Sequence, residues 1–300
     1  MKIAVLGAGP AGLYFAISMK LRDASHEITV HERNRPDDTF GWGVVLSDET
    51  MSNFATNDPV SEAMIRDSFA YWDDVKVVRG EDSMTSGGHG FAGIGRIKLL
   101  LLLQQRARDL GVELRFQADL DQAAIEDLRA TYDLVVAADG LNSRTRQAYA
   151  DRFGAQIDMR RNHFVWLGTR QKFDDAFTFI FEKTEHGWIW AHAYQFDADT
   201  ATFIVECGPE TFDAFGFADL FPGRQHGAVR AYLRPPPGRP QADVQRQPHL
   251  RLRLDPFPPR HLRELVFRQC RAAGRCLGDR AFLDRLGVEA GHGKRHCAGR

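Results

Sequence analysis

Lys2-Ile3-Ala4-Val5-Leu6-Gly7-Ala8-Gly9-Pro10-Ala11-Gly12 is the stretch that sets the architecture. Its first five residues form an apolar run of strand type, and Leu13-Tyr14-Phe15-Ala16 beyond it takes up helical spacing. Between them stands G-x-G-x-x-G, informative because a strand precedes it and a helix follows. In that setting Gly7 permits the tight turn, Gly9 lets a pyrophosphate approach the backbone, and Gly12 lets helix and strand pack closely. The opening N–H groups of the helix and the positive end of its dipole then face the phosphates. A second strand, Glu27-Ile28-Thr29-Val30-His31, ends at Glu32, about twenty residues beyond the last glycine, where a carboxylate can accept hydrogen bonds from a ribose. Strand, helix and Glu32 in register point to an adenine dinucleotide site rather than a chance glycine turn.

A chain of 300 residues can bury a sizeable core, as one large domain or two intertwined ones. Its net charge of −1 argues against a whole-chain polyanion binder. The longest apolar run, Leu99 to Leu103, is far too short to span a bilayer and reads as a buried helix face. The first strand starts at Lys2, which leaves no room for a signal peptide, so no membrane association and a cytoplasmic location are expected. Only Cys207 of the four cysteines precedes residue 270, so neither a disulfide framework nor metal-ligand spacing emerges.

After Glu32 the chain runs through the polar loop Arg33-Asn34-Arg35-Pro36-Asp37-Asp38 into Phe40-Gly41-Trp42-Gly43-Val44-Val45. Two glycines flanking a tryptophan let backbone and ring lie against something flat; a plain Gly-aromatic turn fits the pattern as well. Val75 to Val78 reads as a strand, and the glycine-rich loop Ser86 to Gly95 leads into a helix from about Ile97 to Leu110. Arg96 at that helix start is placed to meet a cofactor phosphate or ribityl chain, or else is a solvated arginine at a loop end. Val112 to Phe116 reads as a strand and Gln122 to Thr131 as a polar helix. Asp133 to Ala138 has the pattern of a fully buried strand, and it ends at Asp139-Gly140. Strands alternating with helices give an α/β fold whose doubly wound parallel sheet binds ligands at the carboxyl ends of its strands.

From about Asn162 the period changes to two. Phe177, Phe179 and Phe181 share one face of a strand, while Trp188, Trp190, His192, Tyr194 and Phe196 share a face of the next. Thr202 to Glu206 forms a third. An antiparallel sheet with an aromatic face follows, and that face reads either as core or as a ligand wall.

The glycine motif, Asp139-Gly140-x-x-Ser143-x-x-Arg146 and the aromatic sheet together resemble the FAD-dependent aromatic hydroxylases of the p-hydroxybenzoate hydroxylase type. Glu32 to Val45, Gly87-Gly88-His89-Gly90-Phe91, Trp166-Leu167-Gly168-Thr169, His192-Ala193-Tyr194 and Thr202 to Glu206 are more narrowly similar to the salicylyl-CoA 5-hydroxylase and anthraniloyl-CoA monooxygenase group. Flavin monooxygenases of violacein synthesis share several of these segments. The resemblance covers Met1 to about Phe217. It implies a Rossmann-type FAD-binding domain over 1–160, with part of the substrate sheet near 70–95, interleaved with an antiparallel β substrate domain over 161–222. It also implies FAD and either NADH or NADPH, with electrons passing from the nicotinamide to FAD and oxygen transferred from O₂ to an electron-rich ring. The partners implied are an aromatic acyl-CoA, salicylyl-CoA or anthraniloyl-CoA, and molecular oxygen. By the same resemblance Gly7, Gly9 and Gly12 hold the pyrophosphate, Glu32 and Arg33 the adenosine side, and Arg96 the cofactor. Asp139 and Gly140 lie near the pyrophosphate. His89 and His192 can move substrate protons, but both read equally as structural histidines, and no catalytic residue is assigned. No nucleic-acid partner and no metal are expected.

The resemblance stops near Phe221, where Arg234-Pro235-Pro236-Pro237-Gly238-Arg239-Pro240 opens text rich in arginine, proline and glycine. Residues 223–300 read as an out-of-frame, disordered tail. A frame displaced by one nucleotide lets Ala272 to Gly299 encode an apolar strand end, Gly-Asp, a small-residue loop and a helix, which the family has at that place. The competing reading is a basic tail able to bind nucleic acid. Rival functions are an FAD oxidoreductase without oxygen insertion and a non-catalytic remnant of the flavin fold.

Overall fold

The computed structural model describes residues 1–39, 41–157, 160–173, 175–217 and 260–261. β1 (Lys2–Leu6), α1 (Pro10–Arg22) and β2 (Glu27–His31) open the chain. β3 (Gly43–Ser47), α2 (Asp48–Asn57), α3 (Pro59–Arg66), β4 (Ala70–Trp72), β5 (Asp74–Arg79), β6 (Asp82–Ser86) and β7 (Phe91–Gly95) follow. Next come α4 (Arg96–Asp109), β8 (Glu113–Arg115), α5 (Gln122–Thr131), β9 (Leu134–Ala137), α6 (Arg144–Ala148), α7 (Ala150–Phe153) and β10 (Gln156–Ile157). β11 (His163–Thr169), β12 (Ala176–Thr184), β13 (Gly187–Gln195), β14 (Ala201–Cys207), α8 (Pro209–Ala214) and β15 (Arg260–His261) complete the described elements. They fall into two compact units, 1–35 with 103–157 and 260–261, and 36–102 with 160–217. The tail reading for 223–300 lies outside the described residues, apart from the short β15 strand. None of the described helices is long and apolar enough to cross a membrane.

The first unit is built on a four-stranded sheet in the order β8-β2-β1-β9, with every ladder parallel. Val5 pairs with Val30 on one side and Val136 on the other, so the apolar run of β1 is covered by a strand on both edges. Ile3 and Val5 of β1, with Leu13 and Ile17 of α1, have no exposed surface. Each such side chain contributes about 1.5–3 kcal/mol by leaving water. Pro10 opens α1, where a missing N–H costs nothing, and Lys20 and Arg22 sit in the last turn, where positive charge complements the helix dipole. One expectation is corrected here. β9 is only partly buried, because among the described residues it is the last strand of its sheet and has β1 on one side alone.

The second unit carries a six-stranded sheet, β11-β14-β13-β12-β5-β6, and a three-stranded sheet, β3-β7-β4. Its larger sheet is antiparallel except between β5 and β12, which run parallel in register from Ala176 opposite Asp74 to Phe181 opposite Arg79. The three strands expected to lie antiparallel, β12, β13 and β14, do so, and the parallel ladder joins them to β5. A period of two shows which residues share a face but not which way the neighbouring strand runs. One face of this sheet is core: Leu167, Ile189, Ala191, Val205 and Cys207 pack with Phe212 of α8. The opposite face carries the aromatic residues.

Candidate functional site

In the first unit the three glycines take three different geometries. Gly7 has φ +105°, a backbone conformation that L side chains rarely adopt, and its N–H donates to the His31 carbonyl at 2.7 Å. A Cβ at Gly12 would collide with the Gly7 carbonyl oxygen, so α1 presses on the turn only because that side chain is absent. A Cβ at Gly9 would meet nothing within 4 Å. Gly9 is thus dispensable for packing, and its bare face borders open space at the start of α1. The first intrahelical bond runs from Leu13 N–H to the Gly9 carbonyl at 3.0 Å, and the N–H groups ahead of it have no intrahelical acceptor. Bare backbone, free donors and a helix dipole at one point fit a diphosphate.

Glu32 follows β2 directly and is half-buried. Its Oε2 accepts the Ala8 N–H at 2.8 Å, and its Oε1 accepts the Asn34 N–H at 2.8 Å. The carboxylate ties the glycine turn to the loop after β2 and keeps further lone pairs for hydroxyl donors. Arg33 is exposed in that loop. At the end of β9, Asp139 Oδ1 accepts from Ser143 Oγ at 2.6 Å, and its Oδ2 accepts from Thr145 N–H at 3.2 Å and Oγ1 at 3.1 Å. Ser143 Oγ in turn accepts the Arg146 N–H at 2.9 Å and caps α6. Gly140 takes φ +78°, with nothing within 4 Å of its Cβ position. Thus Asp139 acts first on its own loop, and Gly140 leaves the backbone bare. These features, with Gly7, Gly9, Gly12 and Glu32, lie at the carboxyl ends of β1, β2 and β9, where α/β sheets bind ligands.

In the second unit the Gly41–Gly43 turn is fixed on several sides. Tyr194 donates its hydroxyl to the Gly43 carbonyl at 2.8 Å, and Thr202 Oγ1 accepts the Gly43 N–H at 3.0 Å. Burial pushes the Tyr194 phenol up to about 12, so it stays a donor. A Cβ at Gly41 would stand 2.6 Å from the Trp166 ring, and one at Gly168 would enter the Trp42 ring. Each tryptophan therefore lies on the other segment's glycine, which is the flat surface the Gly-Trp-Gly pattern anticipates. The Trp42 carbonyl accepts the Arg96 N–H at 2.7 Å, and Arg96 Nε donates to Thr39 Oγ1 at 3.0 Å. Burial lowers the Arg96 pKa, and no carboxylate is recorded against its guanidinium among the described residues. A desolvated cation held in this way is suited to an anionic or carbonyl ligand.

The aromatic face is graded. Tyr194 is buried, stacked on Trp72 at 6.1 Å and in edge contact with Phe177 at 5.3 Å, and Phe91 stands edge-on to Phe177 at 5.6 Å. Further along β13, His192 and Trp190 are half-buried, and Trp188 is exposed. His192 lies opposite Phe179 on one side and Ile204 on the other, and Trp190 opposite Phe181 and Glu206. Burial lowers the His192 pKa, with the Glu206 charge opposing, so the ring is neutral near pH 7. His89 is exposed, 3.0 Å from Ser86 Oγ, on a loop tied down by Asp73. Asp73 Oδ2 accepts the Gly88 N–H at 2.8 Å, its Oδ1 the Gly90 N–H at 3.1 Å, and its carbonyl the His89 N–H at 3.0 Å.

No family model matches the chain. It is 42% identical over 239 residues to salicyloyl-CoA 5-hydroxylase of a Streptomyces species, a match covering 78% of this chain and 45% of that protein. It is 36% identical over 213 residues to protodeoxyviolaceinate monooxygenase of Chromobacterium violaceum, covering 71% and 56%. Among solved structures, 2-methyl-3-hydroxypyridine-5-carboxylic acid oxygenase superposes with a TM-score of 0.61 at 16% identity, over 87% of this chain and 71% of that one. The chain is similar in sequence to these two monooxygenases and shares the fold of that oxygenase. It spans about half the length of the curated relatives it matches. The shared fold accounts for a parallel sheet with a glycine turn and a mixed sheet with an aromatic face in one chain. Sequence reasoning passed over Asp73, Thr202 and Glu206. Asp73 belongs to no motif, and the other two stood only within a strand and the segment similar to the salicylyl-CoA 5-hydroxylase group, with no role of their own.

Proposed function

We propose that the chain carries the framework of an FAD- and NAD(P)H-dependent monooxygenase that hydroxylates an aromatic acyl-CoA of the salicylyl-CoA or anthraniloyl-CoA kind. The observation that carries this reading is the cradle at Gly9, bare and open beside the start of α1, with Glu32 held at the end of the next strand. The similarity to salicyloyl-CoA 5-hydroxylase supports the choice of substrate. FAD, when bound, supplies electron uptake from the nicotinamide and the activation of oxygen. Gly9 and the opening N–H groups of α1 receive its pyrophosphate, Glu32 its ribose hydroxyls and Arg33 the adenosine side. Asp139 shapes the neighbouring loop at Gly140, and Arg96 offers its guanidinium to the cofactor. The aromatic face gives a flat ring an apolar surface to lie on and limits water there. A cytoplasmic location belongs to the same reading.

The chain's own turnover is impaired in this proposal, because residues 223–300 are read out of frame. The test is purification of the chain with FAD, a flavin fluorescence titration, and salicylyl- or anthraniloyl-CoA-dependent oxidation of NADH and of NADPH, with product mass. Flavin binding together with a product heavier by one oxygen, from this chain or its frame-corrected form, supports the reading. Nicotinamide oxidation without an oxygenated product from either form makes it an oxidoreductase without oxygen insertion. Failure of both forms to bind FAD removes the proposal.

A further inference from the structure

Charge along the aromatic face is distributed unevenly. Lys183, opposite Trp188, and Arg79, whose guanidinium lies 5.4 Å over the Trp188 ring, are both exposed at the outer rim. Arg96 is held by Thr39 and Trp42 at the Gly41–Gly43 end. On the half-buried stretch the titratable groups among the described residues are His192 and Glu206, two strand positions apart on the same face, Glu206 in the cross-strand row that ends at Arg79 three strands away. Glu206 lies in register between Trp190 of β13 and Phe164 of β11. Its Oε1 accepts one neutral hydrogen bond, from Asn162 Nδ2 at 3.0 Å, and no cation pairs with it among the described residues. His192 touches Phe177 and Phe179 through its ring and has no hydrogen-bond partner among the described residues.

We infer that Glu206 is a specificity-determining residue that rejects free aromatic carboxylates, so that this face takes only a ring whose carboxyl group is masked as a thioester or amide. The inference rests on the aromatic-substrate reading above and adds the residue that does the selecting. A benzoate-type anion laid on Trp190 and His192 would bring a second negative charge beside Glu206 where solvent screens poorly. His192, held neutral by its burial, supplies no compensating charge. A masked carboxyl is uncharged and escapes the penalty, while a ring hydroxyl or amine can still donate to Glu206 or His192. Selection of this kind works by repulsion of the wrong ligand as much as by attraction of the right one.

The test is equilibrium dialysis of the full chain at pH 7.5, with FAD in the buffer and two probes, salicylate and the N-acetylcysteamine thioester of salicylic acid. Wild type is expected to hold the thioester at least about tenfold tighter, the size of a modest difference in interaction energy. Glu206→Gln keeps the shape and the Asn162 contact but removes the charge, so salicylate should gain about tenfold while the thioester moves little. Asn162→Ala keeps the charge and should preserve the preference. Wild type that holds both probes equally overturns the inference without recourse to any variant. A preference unchanged in Glu206→Gln, with both probes still bound, overturns it and leaves the aromatic-substrate reading standing. Wild type that holds neither probe while FAD is bound removes that reading and the inference together.

Discussion

The three glycines of the opening turn do different physical work, and substitution separates their roles. At Gly12 a side chain has nowhere to go, and at Gly7 both the conformation and the Ala138 carbonyl oppose it. At Gly9 a side chain meets open space, so Gly9→Val should fold with a melting temperature close to wild type yet lose FAD. Gly12→Val should unfold the first unit, at a cost of about 1–3 kcal/mol or more from overpacking. Calorimetry with a flavin titration on both proteins checks this; a Gly9→Val chain that retains normal FAD affinity removes Gly9 from the cofactor site. Glu32→Ala should weaken FAD and loosen the turn, since each hydrogen bond to the charged carboxylate contributes about 1.5–3 kcal/mol. A different residue-scale effect is set at His31, 7% exposed, with an Nε2 that is buried and without a partner. Burial lowers the pKa of both His31 and His192. Below the ordinary histidine range the unfolded chain therefore binds protons that the folded chain does not, and stability falls as pH falls toward the lowered values. His31→Leu should lose less stability than wild type between pH 7.5 and 5.5 in thermal melts. An equal loss in the two proteins would place the acid sensitivity elsewhere.

Among the elements, the paired strands were more legible than their neighbours in space. β1, α1 and β2 follow from an apolar run, a glycine turn and a second run ending in Glu32, because local pattern and tertiary use agree there. The faces of β12 and β13 follow from alternation, and the register sets Phe179 opposite His192 and Phe181 opposite Trp190. The partner of β5 did not follow, since a short run such as Val75 to Val78 does not encode whether its neighbour is parallel. Nor did the clasp at the Gly41–Gly43 turn, because Trp166, Gly168, Tyr194 and Thr202 stand more than a hundred residues away in the chain. That clasp should be measurable. Tyr194→Phe removes the 2.8 Å bond to the buried Gly43 carbonyl and should cost about 1–3 kcal/mol for the acceptor left underused. Gly168→Ala drives a methyl group into the Trp42 ring and should cost about 1–3 kcal/mol. The two changes act on one turn, so their effects in urea melts should be non-additive by about 0.5 kcal/mol or more. Strict additivity would mean that the two contacts do not share the turn.

At the scale of the whole molecule the open matter is the text beyond the resemblance to the aromatic hydroxylases. We propose that residues 223–300 are translated out of frame and that one nucleotide restores them. The argument is chemical as well as textual. The family resemblance calls for a further strand ending in Gly-Asp and a helix whose opening N–H groups meet the flavin side of the cofactor. A frame displaced by one nucleotide lets Ala272 to Gly299 encode such a sequence. A helix start of that kind adds backbone donors and a favourable dipole to a diphosphate. Each hydrogen bond to a charged oxygen contributes about 1.5–3 kcal/mol, and loss of two or three turns a nanomolar cofactor site into a micromolar or weaker one. The corrected gene should therefore give a protein that keeps FAD through desalting, whereas the present chain should release most of it, although both contain Gly9 and Glu32. Flavin absorbance after desalting, read against protein concentration for the two chains, decides the matter. Stoichiometric FAD on the present chain would show that residues 223–300 as written supply what the cofactor needs, and the frame proposal would fall while the cradle at Gly9 stood.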